Sequence, residues 1–204
     1  MYVYQFPVLF IGIIHTSFVS LLIKLVLHVC GKFAILSYRI QNMSITSHVN
    51  LNTKIKEFVI VHITLITTAN IINSAFQIFF LIELLQISIR ISVVIYMLII
   101  DSSGNFVKTI THILYVVMIT SMLYLYSFIG EQLSQESMKV SEAFYNTDWD
   151  NLSVHNQKLF LLALSCGRQT LHVTAGKFYT FSLYGFIDIM KTSFGYVSLL
   201  RALT

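Results

Sequence analysis

Charged, hydroxyl and glycine residues interrupt an apolar segment near the end of the chain, and their spacing is that of a helix face. Asp188, Thr192, Gly195 and Leu199 are separated by four, three and four residues, which places them on one side of an α-helix. A charged side chain inside a bilayer is costly to desolvate, so such residues usually face protein or water. If this face borders water it lines a pore, and Leu199 with Leu203 closes it as a hydrophobic constriction. Packing between membrane helices is the alternative, because small and polar residues also mediate those contacts.

The same segment offers one ion pair. Asp188 and Lys191 are three residues apart, so their side chains would be neighbours on a helix. Pairing would reduce the cost of burying either charge. The pair could act in ion selectivity or be structural only.

Two further sets of residues combine apolar side chains with a few polar groups, which is the character of a pocket for a small apolar ligand. The candidate ligand-binding residues are Ile11, His15 and Phe18 in one segment and His112, Tyr115 and Met118 in another. Simple helix packing is the alternative for each of them. The histidines are not clustered as metal ligands are, so neither a metal site nor a cofactor is predicted.

Three aromatic residues lie in the one strongly polar stretch of the chain. Phe144, Tyr145 and Trp149, the only tryptophan, are surrounded there by Asp and Asn. Aromatic side chains within a polar rim are typical of a subunit interface. A small local core would need the same residues, so both interpretations stand.

Several classes of function are disfavoured by what the sequence lacks. We find no nucleophile–base arrangement, phosphate-binding loop or metal-ligand spacing, so an enzyme is not predicted. No basic block is interleaved with aromatic residues, which argues against a nucleic-acid partner. The two cysteines, Cys30 and Cys166, do not indicate a disulfide framework.

The composition predicts the fold class. Hydrophobic residues make up 56% of the 204 residues and charged residues only 11%, whereas an ordinary globular domain has about 25% charged residues. A soluble protein would lack the polar surface to cover itself. We therefore predict an all-α, polytopic transmembrane helical bundle in a lipid bilayer, with four membrane crossings and a cytoplasmic helical anchor region.

Hydropathy and loop charge order these elements along the chain. Residues 58–100 are either one crossing preceded by a cytoplasmic extension or two short crossings. Short cytoplasmic loops are enriched in Lys and Arg, and one crossing places both basic loops, residues 31–56 and 131–176, on the same side, so we favour it. The predicted elements are crossings at about 6–30, 75–100 and 106–129 within residues 1–130, a cytoplasmic helical extension at about 31–74, an anchor segment at 131–176 with a short helix at 158–166, and a last crossing at 177–204.

Motifs in the second half of the chain resemble the carboxy-terminal signature of insect odorant receptors. They are Gly130-Glu-Gln-Leu133, Val140-Ser-Glu-Ala-Phe-Tyr-Asn-Thr-Asp-Trp149, Leu171-His-Val-Thr-Ala-Gly-Lys-Phe178 and Lys191-Thr-Ser-Phe-Gly-Tyr196. Their order and spacing match the family through residue 201. One departure is Tyr184, which stands where the family commonly has Glu after Ser-Leu.

The resemblance implies a function. Members have seven helices, so this chain would correspond to helices four to seven of a partial or truncated protein, with an extracellular carboxy terminus. It implies a subunit of a ligand-gated, non-selective cation channel in the plasma membrane of olfactory sensory neurons, which detects small volatile molecules as a heterotetramer with an obligate olfactory co-receptor. The last helix would line the pore. A gustatory-type channel that works without the co-receptor, or a non-functional truncated product, are the alternatives.

Overall fold

The protein is described from a computed structural model, which covers residues 5–43, 51–100, 106–147, 149, 153–167 and 170–202. Five helices and one small hairpin make up these residues. In chain order they are α1 (Gln5–Gln41), α2 (Leu51–Ile100), α3 (Phe106–Tyr145), α4 (Val154–Gly167), β1 (Thr174–Ala175), β2 (Tyr179–Thr180) and α5 (Leu183–Ala202). The predicted all-α class is confirmed, since the two strands have only two residues each.

The first three helices are much longer than a membrane is thick. They contain 37, 50 and 40 residues, and at 1.5 Å per residue the longest extends about 75 Å, against about 30 Å for the hydrocarbon core. In the described part of the chain, three segments are long and apolar enough to cross a membrane: Phe10–Gln41, Asn52–Leu98 and Phe106–Tyr145. The 20-residue α5 is not among them. The fourth crossing therefore stays a prediction.

Three of the observed helices can be set beside the predicted elements. A single uninterrupted helix, α2, runs through residues 58–100, and a helical hairpin would have needed a break there. Helix α3 continues through Gly130 to Tyr145, so the first part of the predicted anchor segment is helical. The predicted short helix at 158–166 lies inside the longer α4.

The chain divides into two compact units. Unit 1 comprises residues 1–72 and 133–171, and unit 2 comprises residues 73–132 and 172–204. Helices α2 and α3 contribute residues to both.

The core of unit 1 is a run of aromatic rings. The ring of His62 lies 6.4 Å from that of Phe33 and 5.6 Å from that of Phe144, and Phe144 lies 5.5 Å from Phe160 in an edge-on arrangement. All four side chains are buried. They come from α1, α2, α3 and α4, so this cluster joins the four helices of the unit through side-chain packing.

The core of unit 2 is a second aromatic cluster. Phe181, which follows β2, has its ring 4.9 Å from that of Phe80 and 5.9 Å from that of Tyr126, and Phe80 and Tyr126 are 5.7 Å apart. The three side chains are buried. Since Phe181 stands two residues before α5, this cluster brings the start of α5 against α2 and α3.

Candidate pore helix and ligand-binding residues

The hairpin before α5 turns the chain sharply. Thr174 pairs with Thr180 and Ala175 with Tyr179 in antiparallel register. Between the strands, Gly176 and Lys177 both have positive φ angles, of 59° and 67°. Glycine adopts this left-handed conformation freely, but a residue with a Cβ atom loses about 1–2 kcal/mol there. The turn therefore holds Lys177 in an unfavourable backbone conformation, which the contacts around the hairpin must offset.

Those contacts are hydrogen bonds to two polar residues of α2, Asn73 and Gln77. The Thr174 backbone N–H donates to Oδ1 of Asn73 at 2.8 Å, and Nδ2 of Asn73 donates to the Thr174 hydroxyl at 3.0 Å. The Gly176 backbone N–H donates to the Gln77 carbonyl at 3.2 Å. One face of α2 thus holds the hairpin through the Asn73 side chain and the Gln77 backbone carbonyl. Asn73 uses both its acceptor and its donor, so its orientation is fixed.

A glycine in α3 lets the chain after the hairpin approach the helix backbone. A Cβ atom at Gly130 would lie 2.2 Å from the carbonyl oxygen of Phe181, far inside van der Waals contact. Only the absence of a side chain permits this approach. Gly130 begins one of the motifs that carry the resemblance, and its role is to admit the chain that leads into α5.

The start of α5 has an N-cap. The Gly185 backbone N–H donates to the Ser182 hydroxyl at 3.1 Å, the bond that a serine makes at the N-terminus of a helix. Tyr184 lies in the first turn, which contains no acidic residue, and 81% of its surface is exposed. An acid here would interact favourably with the helix dipole. Tyr184 has no charge to interact with the dipole, and its ring is exposed.

The two faces of α5 differ in burial. The buried side consists of Gly185, Ile189, Ser193 and Val197, which recur every fourth residue. The predicted pore residues Asp188, Thr192, Gly195 and Leu199 are all exposed and lie together on another face. The fifth predicted pore residue, Leu203, is outside the described residues. The structure thus brings four of the five onto one unburied face, where no described part of the chain covers them.

The predicted pair of Asp188 and Lys191 does not form. Both side chains are exposed, and in the described part of the chain neither one makes an ion pair. The Thr192 hydroxyl donates to the backbone carbonyl of Asp188 at 2.8 Å and so does not contact the Asp188 carboxylate through this bond. Each charge therefore needs water or a partner outside the described residues.

The six candidate ligand-binding residues are divided between the two units. Ile11, His15 and Phe18 lie on α1 in unit 1, and His112, Tyr115 and Met118 lie on α3 in unit 2. The two histidines are half-buried and the other four residues are exposed. Each set shares one side of its own helix. A pocket formed by both remains a prediction.

The three candidate interface residues have different surroundings. Phe144 is completely buried in the aromatic cluster of unit 1, so it belongs to a local core and its ring is not available to a partner. Tyr145 is 68% exposed. Trp149 is half-buried, and its backbone N–H donates to the Thr147 carbonyl at 2.7 Å. The interface assignment continues as a prediction for Tyr145 and Trp149.

Two residues that position α5 had no role in the sequence-based prediction. Asn73 had no place in it, and Gly130 entered only as part of a motif. A signal existed for each. A polar amide inside an apolar helix usually has a specific partner, and a glycine inside a helix usually marks close packing. Among the described residues, no three His, Cys, Asp or Glu side chains are grouped as a metal site would require.

Comparison with protein families gives one match over most of the chain. Residues 1–194 match the family model described as 7tm odorant receptor. Among curated proteins, odorant receptor 13a of Drosophila melanogaster is 27% identical over 86% of this chain and 46% of its own length. Odorant receptor 10 of Aedes albopictus is 24% identical over 77% of this chain and 42% of its own length. The chain therefore spans about half the length of the curated relatives it matches.

Solved structures show the same fold. The insect olfactory receptor OR5 of Machilis hrabei in complex with eugenol superposes with a TM-score of 0.75 at 15% identity, covering 88% of this chain and 46% of the receptor. A second structure of the same receptor superposes with a TM-score of 0.72 at 16% identity, covering 92% of this chain and 47% of the receptor. At this identity the likeness concerns the fold alone.

Proposed function

We propose that this chain, which belongs to the 7tm odorant receptor family, forms part of a ligand-gated, non-selective cation channel. The family is one of receptors and not of enzymes, and its apolar helices make the chain a multi-pass membrane protein. In the proposed assembly, α5 lines the pore and the chain joins an olfactory co-receptor in a heterotetramer. The channel detects small volatile molecules in the plasma membrane of olfactory sensory neurons, with the carboxy terminus outside the cell.

The observation that carries this proposal is the exposed polar face of α5. Asp188 and Thr192 lie there unburied, and Lys191 is exposed beside them. An Asp or Lys at the centre of a membrane helix costs about 2.5–3.5 kcal/mol on insertion scales. That cost falls sharply if the face borders water. A water-filled pore between subunits provides such an environment without burying either charge.

The residue types on this face also fit cation conduction. When several subunits surround one axis, Asp188 of each contributes to a ring of carboxylates, which attracts cations and repels anions. Gly195 has open space where a Cβ atom would be, so it adds no bulk to the face. Leu199, one helical turn beyond, is exposed and apolar, and a ring of such side chains closes a pore by excluding water.

The proposed ligand is a small apolar molecule with one polar group. Two observations support this class of ligand: the related receptor OR5 of Machilis hrabei forms a complex with eugenol, and the candidate residues of this chain are of two kinds. His15, His112 and Tyr115 would supply polar contacts, while Ile11, Phe18 and Met118 would supply apolar area.

Cysteine accessibility tests the pore assignment directly. We would introduce Thr192→Cys or Leu199→Cys in a Cys166→Ser background, co-express the chain with the co-receptor, and apply a charged, membrane-impermeant methanethiosulfonate. These reagents react with thiolates, which form in water and not in lipid. We expect both positions to be modified, with a change in ionic current. Matched variants on the buried face, Ile189→Cys and Val197→Cys, should stay unmodified. Equal reactivity of the two faces, or none at Thr192→Cys, would reject a wetted pore face.

Co-expression tests the dependence on a partner. We expect odorant-evoked currents in cells that contain this chain and the co-receptor, and none in cells that contain either protein alone. A response from this chain alone would support the gustatory-type alternative. Asp188→Asn should lower the permeability ratio of cations to anions, because it removes the proposed ring of charge.

A further inference from the structure

Thr147 stands two residues beyond the end of α3, within unit 1. Its hydroxyl donates to the backbone carbonyl of Ala143 at 2.8 Å. In a continuing α-helix the Thr147 backbone N–H would make that bond, but it donates to the Phe144 carbonyl instead, at 3.4 Å. One residue thus satisfies two carbonyl groups in the last turn of α3, one through its side chain and the other through its backbone.

The turn that Thr147 caps carries part of the core of unit 1. Ala143 and Phe144 are almost completely buried. The ring of Phe144 lies 5.6 Å from that of His62 of α2 and 5.5 Å from that of Phe160 of α4. Unwinding of this turn would move the Phe144 ring, so the bonds made by Thr147 help to hold three helices together.

Acidic residues follow Thr147 in the sequence. Asp148 is the next residue and Asp150 stands three positions on. Of the 9 acidic residues in the chain, only Asp150 has a serine or threonine three positions before it. No lysine or arginine occurs between Lys139 and Lys158. The placement of the two aspartates lies outside the described residues, but a kinase binds its substrate as an extended segment, so their order in the sequence is what it recognises.

This pattern of charge indicates a class of enzyme. Acidic residues that follow a hydroxyl residue are recognised by acidophilic serine/threonine kinases, because basic side chains line the substrate cleft of those enzymes. Such kinases and ATP are found in the cytoplasm, where the predicted topology puts residues 131–176. Thr147 is half-buried, and breaking the bond to Ala143 frees its hydroxyl.

We propose that Thr147 is phosphorylated by an acidophilic serine/threonine kinase and that the phosphate releases the end of α3. The Thr147 oxygen attacks the γ-phosphorus of ATP, the bond from that phosphorus to ADP breaks, and the hydroxyl proton passes to a carboxylate of the kinase. The product has no hydroxyl to donate to Ala143. It also places about 1.5–2 negative charges beside the negative end of the helix dipole. Both changes favour unwinding of the last turn.

Phosphorylation of the purified full chain in detergent tests the site. The chain would be incubated with casein kinase II and ATP, and mass spectrometry would locate the phosphate. We expect it at Thr147 and not at Thr53, which is more exposed but has lysine at the first and third positions after it. Thr147→Val should take up no phosphate, and Thr147→Ser should still be modified. If a peptide of residues 141–153 is phosphorylated and the full chain is not, the fold closes the site and the proposal is wrong.

Two exchanges of an acid for its amide separate recognition from general charge. Asp150→Asn removes the acid at the third position and should lower kcat/KM of the kinase about tenfold, as the loss of one charge-assisted hydrogen bond does. Glu142→Gln removes the same charge from an exposed position before Thr147 and should change kcat/KM by less than about twofold. Equal effects of the two variants would overturn the assignment to an acidophilic kinase and with it the proposal.

Thermal unfolding and hydrogen exchange test the release of α3. The phosphorylated chain should unfold about 2–6 °C below the unmodified one, and a phosphatase should restore the midpoint. Thr147→Val loses the hydroxyl bond without gaining charge, so its midpoint should fall less. The backbone amides of residues 145–147 should exchange about tenfold faster after phosphorylation, and those of residues 20–30 in α1 at an unchanged rate. An unchanged or higher midpoint would mean that the phosphate stabilises the fold, which contradicts the release of α3.

The site in living cells depends on the predicted cytoplasmic side of residues 131–176. We expect phosphate on Thr147 in full chain isolated from the cells that express it. Its absence there, in a chain that the kinase modifies after purification, would overturn the proposal. The pore assignment of α5 plays no part in these measurements and no current is recorded, so the modification and the pore can fail separately.

Discussion

In unit 1, α4 packs through the rings of Phe144 and Phe160, whereas in unit 2 backbone groups and one amide side chain add to the aromatic cluster of Phe181 in holding the start of α5. Packed rings contribute stability in proportion to the apolar area they bury, and such cores tolerate other side chains of similar volume. Where the Phe181 carbonyl lies against Gly130, by contrast, there is no space for even a Cβ atom on the glycine. The added contacts in unit 2 indicate that its rings contribute stability and that Gly130 and Asn73 fix where α5 begins.

The largest expected effect is in the core of unit 1. Phe144→Ala removes a fully buried ring and leaves a cavity, which typically costs about 3–5 kcal/mol in free energy of unfolding. The neighbouring change Tyr145→Ala, at a side chain that is 68% exposed, should alter this free energy by about 0.5 kcal/mol or less. Denaturant titration of the purified chain in detergent measures both. Similar losses for the two variants would place Phe144 at a surface and remove one side of the comparison.

Gly130→Ala should have the next largest effect, in unit 2. The added Cβ atom meets the Phe181 carbonyl, and overpacking of this kind costs about 1–3 kcal/mol. Because the obstacle is backbone, the chain leading into α5 must move. Gly31→Ala is the matched control in α1, where a Cβ atom meets nothing within 4 Å. Thermal unfolding should show a lower midpoint for the first variant and an equal or higher one for the second, since alanine favours helix.

The smallest of the three effects is expected at Asn73. Asn73→Ala removes the acceptor of the Thr174 N–H and should cost about 1–2 kcal/mol. Asn70→Ala makes the same exchange at an exposed position of α2 and has the same change in helix propensity. The difference between the two unfolding free energies isolates the hairpin contact. If that difference is zero, hydrogen bonding to α2 does not contribute to placing α5.

The main features that the sequence predicted are those that hydropathy and local spacing determine. Long apolar segments predicted helices where α1 to α3 lie, because an α-helix makes its backbone hydrogen bonds within its own segment, as a segment in lipid must. The spacing of Asp188, Thr192, Gly195 and Leu199 placed them correctly on one face, since a helix repeats regularly. A signal for Phe144 was also present: Leu133, Ser137, Val140 and Phe144 recur at helical spacing, and all four are buried.

The contacts that place α5 were not predictable in the same way. Asn73 and Thr174 are 101 residues apart, and no local pattern links them. The approach of Phe181 to Gly130 likewise depends on how the chain returns after α4. The left-handed conformation of Lys177 is not visible in its residue type, since lysine has no preference for it. Such features follow from tertiary structure, which a single sequence does not specify locally.

The separation of Asn73 from Thr174 also bears on how the protein is made. A pair of two-residue strands is too short to be stable by itself, so the hairpin gains order only against α2 and α3. At the usual rate of synthesis, Thr174 leaves the ribosome about 5–20 seconds after Asn73. Through that interval the Asn73 amide is without its partner, because Thr174 has yet to be translated. Placement of α5 is therefore a late step in biogenesis, and an undocked last helix is the form in which quality control would meet a defective hairpin.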